Sequence, residues 1–386
     1  MNFLSEAKKL ENWVIEQRRI LHQIPEHGNQ EFQTSAHICK VLEELGLQPV
    51  RILDTAVIAD LKGEIIGPTI ALRADMDALP IPENTGLPFS SRHPGMMHAC
   101  GHDMHMAAIL ATAKLLNNYR SKLAGTIRFI FQPDEEVNGG AERMIQNGCL
   151  DGVQAVFGAH VRPELPTGYI SLREGAFYAA SNPFSIHLQG KSAHGAEPHN
   201  GSDTIVAGAQ IVSALQTLIT RRLDPLTPAV ITVGKFHAGT QNNVIAEEAF
   251  LEGILRTFGY ENRKFLVQTA TNLVLSIASA LGVQADVSFK WGYPGICNDV
   301  TCTALVKNAS ETLFDSDCTL CPAPQTMTSE DFGFYQQKVP GCFYHVGAAS
   351  DSPLHSSQFQ PDENALIILT ALHAQVVWNA LMYFNT

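Results

Sequence analysis

The alternation of apolar and polar residues divides the chain into two regimes. In the first, reaching to about residue 180, helical spacing and short apolar runs take turns. Leu10, Trp13, Val14, Ile20 and Leu21 recur at helical intervals and predict a helix over 5–23, which the Pro25-Glu26-His27-Gly28-Asn29 break ends. Thr34 or Ser35 is expected to cap a second helix to about Leu45, with Gly46 closing it. Runs 57–61, 69–74, 125–131 and 155–161 read as strands. Polar groups gather where they end: RADMDALP at 73–80, QPDEE at 132–136, and His160. The run MAAILATAKLL at 106–116 predicts a helix, and Gly139-Gly140 opens another. Strands alternating with helices, with acids and imidazoles at the strand exits, are the pattern of a doubly wound α/β domain with a site along one edge.

Beyond Ala180 the pattern changes. Residues 184–189 alternate as a half-buried strand, and Ser202-Asp203 caps a helix ending near Arg221-Arg222. Runs 229–236 and 249–257 are strands, 261–281 a helix and 285–291 a last strand. This β-α-β-β-α-β order is that of a ferredoxin-like α+β sandwich. It predicts a domain over 183–294 inserted into a larger one made of 1–182 and 295–386. The larger domain resumes with a helix from Asn298, a helix start with acids in its first turn at MTSEDFG (327–333), a strand at 343–347, a loop carrying His355 and a closing helix over 363–382.

The chemistry concentrates in MHACGHDMH (97–105), where three imidazoles, a thiol and a carboxylate precede an apolar helix. At a helix N-terminus the N–H groups and the dipole favour thiolate, the form a metal binds. The candidate ligands are Cys100, His102, Glu136, His160 and His355, with His98, His105, Asp75 and Asp103 as groups that support or replace them. Five ligands exceed the needs of one tetrahedral zinc and suit two ions bridged by a ligand and a water. Thiolate, imidazole and carboxylate together fit zinc, manganese, cobalt or nickel rather than calcium or magnesium. A single histidine is more often structural than a ligand, and His22, His37, His93 and His373 are read that way. Glu135 and Glu136 at a strand exit are costly to bury together unless a cation neutralises them. If one binds metal, the other is placed to act as general base. In GKSAHGAEPH, the glycine-flanked His194 is a candidate oxyanion donor, and Arg256 in GILR a candidate bidentate partner for a carboxylate.

Composition narrows the partners. The chain has 386 residues and a formal charge of −12, which argues against nucleic acid or an anionic membrane as partner. Its 45% hydrophobic content supports the cores of two domains. The N-terminus is charged and amphipathic without the apolar stretch of a signal peptide, and no apolar run is expected to span a membrane. The eight cysteines show no framework spacing, which points to a reducing cytoplasm. Cys318 and Cys321 form a lone CxxC, read as two ordinary cysteines.

Taken in order, RADMDALP, MHACGHDMH, FQPDEE, FGAHV, GKSAHGAEPH, NNVIAEE, GILRTF, MTSEDF and PLHSSQF resemble the M20 metallopeptidase family over essentially the whole chain. More narrowly they resemble its amidohydrolase branch of N-acyl-amino-acid hydrolases, hippurate hydrolases and N-acetyldiaminopimelate deacetylases. The resemblance implies a catalytic α/β domain with an inserted lid or dimerisation domain, two divalent ions, and hydrolysis of an N-acyl-amino acid to a carboxylate and a free amino acid. It implies that Cys100 bridges the ions, His102 and His160 serve one, Glu136 and His355 the other, and Glu135 is the general base. Asp75 aligns with the aspartate of the family's His-x-Asp motif, with Arg73 in place of the histidine and His102 as its replacement. His194 would polarise the scissile carbonyl, while Asn243 and Arg256 would hold the product's carboxylate. Ala246 and the segment GAFYAASN (175–182) depart from the family's usual residues, which bears on acyl and side-chain specificity. The alternatives are a dipeptidase or carboxypeptidase on the same scaffold, or a non-catalytic metal- or peptide-binding protein. A homodimer through the inserted domain is open, as is whether His194 acts in its own subunit.

Overall fold

The structure is a computed structural model that describes residues 2–314 and 320–385. Cys318 of the CxxC pair lies outside the described residues. The helices are α1 (Phe3–Lys8), α2 (Glu11–His22), α3 (Phe32–Glu44), α4 (His102–Asn117), α5 (Ala141–Gln146), α6 (Thr204–Arg221), α7 (Tyr260–Ala280), α8 (Val300–Leu313), α9 (Gly333–Gln336) and α10 (Ala365–Phe384). The strands are β1 (Val50–Ile52), β2 (Ala56–Lys62), β3 (Ile65–Asp75), β4 (Ala124–Gln132), β5 (Val153–Arg162), β6 (Ile170–Leu172), β7 (Gly175–Tyr178), β8 (Ala180–Gln189), β9 (Ala229–Ala238), β10 (Glu248–Thr257), β11 (Gln284–Phe289), β12 (Ile296–Asn298), β13 (Leu320–Pro322) and β14 (Gly341–Gly347).

The chain forms two units. The larger comprises Met1–Gly175, Cys297–Pro324 and Asp331–Thr386, the smaller Ala176–Ile296 and Gln325–Glu330. The break expected between 182 and 183 therefore falls inside β8, and 325–330 clusters with the smaller unit.

The larger unit is built on an eight-stranded sheet in the order β1-β2-β4-β3-β5-β14-β6-β13. Its centre, β4-β3-β5-β14, is parallel. These strands are buried on both faces, which is why they read as continuous apolar runs. Helices α4 and α10 are buried nearly all round, so neither shows a clean polar stripe. Contrary to the sequence expectation, α10 is long and apolar enough to cross a membrane, with a mean hydropathy of 1.7; most of it is buried in this unit's core.

Local boundaries depart from expectation for identifiable reasons. The helix expected over 5–23 breaks at Lys9-Leu10 into α1 and α2. Helix α3 begins ahead of Thr34 because a remote carboxylate caps it: Glu26 accepts the N–H groups of Gln33 at 3.1 Å and Thr34 at 2.9 Å. Gly46 closes α3 in the left-handed conformation at φ +72°. The helix expected from MTSEDFG is only the single turn α9. Asp331 does not cap it, because its carboxylate is drawn inward to Arg73 and to the N–H of Ala141.

In the smaller unit a four-stranded sheet in the order β11-β8-β10-β9, antiparallel throughout, packs against α6 and α7. This is the expected ferredoxin-like sandwich. Asp203 caps α6 as expected, accepting the N–H groups of Ile205 and Val206.

Candidate metal centre

The centre lies in the larger unit, where its parallel strands end. Asp75 closes β3, Glu135 and Glu136 follow β4, His160 sits near the end of β5, and His102 is the first residue of α4. Gly101, preceding α4, has φ +84°, and a Cβ there would lie 2.5 Å from Val161 Cγ2. Only glycine admits that turn, which brings Cys100 against His160. Asp134 also takes a left-handed conformation, at φ 60°. Its carboxylate is held by Asn29 at 2.6 Å and Arg143 at 2.9 Å, which sets the path of the chain into Glu135 and Glu136.

The five predicted ligands converge. The ligand atoms of Cys100, His102 and His160 lie within 4.8 Å of one another, as do those of Cys100, Glu136 and His355. His102, Glu135 and Glu136 make a third such group. Cys100 Sγ is 3.4 Å from His160 Nε2, and His355 Nε2 is 3.3 Å from Glu136 Oε1. His160 and His102 have their other ring nitrogen committed. His160 Nδ1 donates to the Val161 carbonyl at 2.7 Å and His102 Nδ1 to the Asp77 carbonyl at 2.8 Å, leaving both Nε2 atoms facing the cluster.

Two observations fit a divalent cation to these residues. His102 Nε2 and Glu136 Oε1, 3.9 Å apart, are buried without a hydrogen-bond partner. The side chains alone also carry more buried negative charge than they can balance. Burial would drive His102 down, but Asp75, Asp77 and Glu136 hold it up at about 10. Burial, together with Glu136 and Glu135, pushes the Cys100 thiol well above its ordinary value. That corrects the expectation that the helix N-terminus would favour thiolate: desolvation and two carboxylates outweigh the dipole, and a bound cation is what makes the thiolate stable. Burial with His105 keeps His160 well below the ordinary imidazole value, the neutral form a ligand needs.

The supporting residues sort differently from the sequence expectation. Asp75 does not face the cluster as a free carboxylate; it accepts from Arg73 at 2.8 Å and His105 at 2.6 Å. Asp75 Oδ1 lies 3.8 Å from His102 Nε2, but the aspartate hydrogen-bonded to the candidate ligands is Asp77, which RADMDALP does not distinguish from Asp75. Its Oδ2 accepts the N–H of Glu136 at 3.0 Å, and its Oδ1 lies 3.5 Å from His102 Nδ1. The one available signal was alternation, since 75 and 77 share a face across Met76. Asp103 is turned away and binds Arg18 at 2.8 Å and His22 at 2.9 Å. His98 is buried with neither nitrogen bonded. The histidines read as structural have ordinary partners: His37 bonds Gln17, His93 the Pro25 carbonyl, and His373 the Tyr344 hydroxyl.

In the smaller unit His194 and Asn243 are exposed neighbours: Gly195 N–H donates to the Asn243 carbonyl at 2.7 Å. His194 Nδ1 accepts the Ala196 N–H at 3.1 Å, leaving Nε2 outward. Arg256 is half-buried, and its Nη1 is buried without a partner. These residues sit at opposite ends of one sheet. Gly190, after β8, bonds Glu247 at the start of β10, whereas Arg256 pairs Ser181 at its other end. At about 3.3 Å per residue along β10, the separation is on the order of 25 Å. Asn243 and Arg256 of one chain therefore cannot grip the same carboxylate, which corrects their expected joint role.

Residues 71–379 match the peptidase family M20/M25/M40. The chain is 44% identical over 360 residues to an N-acetyl-L-cysteine deacetylase of Bacillus subtilis, covering 93% of this chain and 86% of that protein. It is 39% identical over 363 residues to an N-acetyldiaminopimelate deacetylase of Streptococcus uberis, covering 92% and 95%. Among solved structures it superposes on the Bacillus subtilis YXEP protein, described as a dinuclear metal-binding peptidase of the M20 family, with a TM-score of 0.87 and 38% identity over 97% of this chain and 99% of that one. The chain is a hydrolytic enzyme belonging to peptidase family M20/M25/M40, in its amidohydrolase branch.

Proposed function

We propose that this enzyme hydrolyses N-acyl-amino acids to a carboxylate and a free amino acid, with two divalent transition-metal ions held by Cys100, His102, Glu136, His160 and His355. The observation that carries the reading is the convergence of one thiol, imidazoles and carboxylates, buried except at His355, with His102 Nε2 facing the cluster without a hydrogen-bond partner. The bound ions would lower the pKa of a water and polarise the amide carbonyl. Glu135, buried beside Glu136 and His102, takes the proton of the attacking water and returns it to the leaving amine. Asp77 holds His102 and the Glu136 backbone in place. The Arg256 guanidinium, with Nη1 buried and unpartnered, suits a substrate carboxylate, and His194, at the other end of the same sheet, would donate its Nε2 proton to that substrate's oxyanion only from a second subunit. Similarity to two deacetylases of N-acetylated amino acids supports the acyl class, with short acyl groups first among them.

The test is a rate panel. Chelator-stripped protein is reloaded with manganese, zinc, cobalt or nickel and offered N-acetyl, N-benzoyl and longer N-acyl amino acids, N-acetyldiaminopimelate and plain dipeptides. Metal-dependent release of a free amino acid from an acyl series supports the proposal and names the substrate. A second reading, a metallopeptidase taking free-amine peptides, draws on the similarity to a dinuclear metal-binding peptidase, and turnover of dipeptides alone would establish it instead.

A further inference from the structure

The third histidine of MHACGHDMH, His105, lies among the ligands, within 4.8 Å of Asp75 and His102 at its nearest ring atom. Both its nitrogens are nevertheless used. Nδ1 donates to Asp75 Oδ1 at 2.6 Å, and Nε2 accepts the Val161 N–H at 3.0 Å. A carboxylate on one side and an N–H donor on the other leave no lone pair for a metal. The His105 ring also packs edge-on against that of His160, with centroids 4.7 Å apart. His160 in turn donates to the Val161 carbonyl, so His105 and His160 bond the N–H and the carbonyl of one residue.

Behind His105 the chain of contacts continues. Asp75 Oδ2 accepts from Arg73 Nη1 at 2.8 Å. Arg73 Nη2 reaches Asp331 at 2.9 Å and its Nε reaches Gln132 at 2.9 Å. Gln132 donates to Asp331 at 2.7 Å, and Asp331 also accepts the Ala141 N–H at 3.0 Å. Arg73, Asp75, Gln132 and Asp331 are all buried. A guanidinium fixed at three points holds Asp75 in one orientation, and Asp75 fixes the tautomer and plane of His105.

We propose that Arg73, Asp75 and His105 form a buried positioning relay that sets the Val161 backbone and the His160 ring, and that His105 is not itself a metal ligand. The inference rests on the reading of Cys100 and His160 as ligands. It accounts for Arg73 standing two residues before Asp75 on β3: the arginine anchors the relay from beneath the site. Removing an outer partner of a metal-binding imidazole costs about 10–100-fold in metal affinity while leaving the ligand set intact.

The experiment uses the full-length protein, stripped and reloaded with cobalt(II), in wild type, His105→Ala, His105→Gln and Asp75→Asn forms. Four quantities are read: ions bound per chain at saturation, affinity by chelator competition, the Cys100 thiolate-to-cobalt charge-transfer band, and metal-free melting temperature. The relay predicts unchanged ions per chain and an unchanged band in every variant, with affinity about 10–100-fold weaker in His105→Ala and Asp75→Asn. His105→Gln is expected to recover part of that loss, because its amide oxygen can accept the Val161 N–H. One ion fewer per chain in the His105 variants makes His105 a ligand and overturns the proposal. Lower melting temperatures with wild-type affinity reduce the network to a structural one and overturn it equally. If His105→Ala does not fold, the Gln and Asp75→Asn forms decide. Wild-type protein that takes up no cobalt removes the metal centre and the relay together, whereas normal wild-type loading with matching variants removes the relay alone.

Discussion

The Asp77 carboxylate accepts the backbone N–H of Glu136 across 3.0 Å, tying the loop after β3 to the loop after β4. The Asp77 carbonyl meanwhile accepts His102 Nδ1, so one residue orients two candidate ligands. Asp77→Ala leaves the Glu136 N–H without this partner, a cost of about 1–3 kcal/mol in a buried site. The expected outcome is a lower melting temperature in the stripped protein and metal affinity weaker by about 10–100-fold. Chelator competition on wild type and variant measures it; equal affinities would remove Asp77 from the site.

Glu135→Gln conserves shape and removes the proton acceptor. Turnover should fall by about 100–10,000-fold, the usual contribution of a general base, with ions per chain unchanged. Metal analysis beside steady-state kinetics separates the two effects. Retained turnover at full loading would assign the base elsewhere, and lost metal would make Glu135 a ligand.

Metal uptake should release protons. In stripped protein at pH 7, His102, held at about 10, carries a proton, and so does Cys100, raised well above its ordinary value by burial with Glu136 and Glu135. Both must lose it to bind. Close to two protons should leave as the site fills, and apparent affinity should climb steeply from pH 6 to 8. Titration calorimetry in buffers of different ionisation heat counts them; uptake without buffer dependence contradicts the assignment of these two as ligands.

Glu31 gives a pH dependence outside the ligand set. Its carboxylate accepts the Asp134 N–H at 3.0 Å and the Thr55 hydroxyl at 2.8 Å. Burial raises it from 4.5 to about 7. Because the folded value lies above the unfolded one, the folded state binds the proton more tightly. Its contribution to stability is complete below about pH 4.5 and is lost as pH rises through 7, on the order of 3 kcal/mol in all. Glu31→Gln carries no such proton, so its denaturation curves should lose less stability than wild type between pH 5 and 8. Parallel profiles would show that Glu31 is not the titrating group.

Much of this protein could be read without coordinates. Strand and helix order and the ferredoxin-like insertion follow from periodicity, because burial acts on every residue of an element at once and leaves a repeating trace, and the five candidate ligands follow from residue type. Asp203 announces its helix because a cap acts on neighbours in sequence. The tertiary structure decided whatever depends on which residues meet across the chain. Glu26 caps α3 from outside its start, and Asp331, expected among the acids of a helix's first turn, binds a buried arginine instead. Asp75 and Asp77 are indistinguishable in RADMDALP, yet Arg73 and His105 occupy one while the other meets His102 and Glu136. The Cys100 thiol responds to burial and to carboxylates from another strand rather than to its own helix. Asn243 and Arg256 are separated by an antiparallel register that no spacing rule reveals. Electrostatic and hydrogen-bonding roles belong to pairs, and the partner's position exists only once the chain has folded.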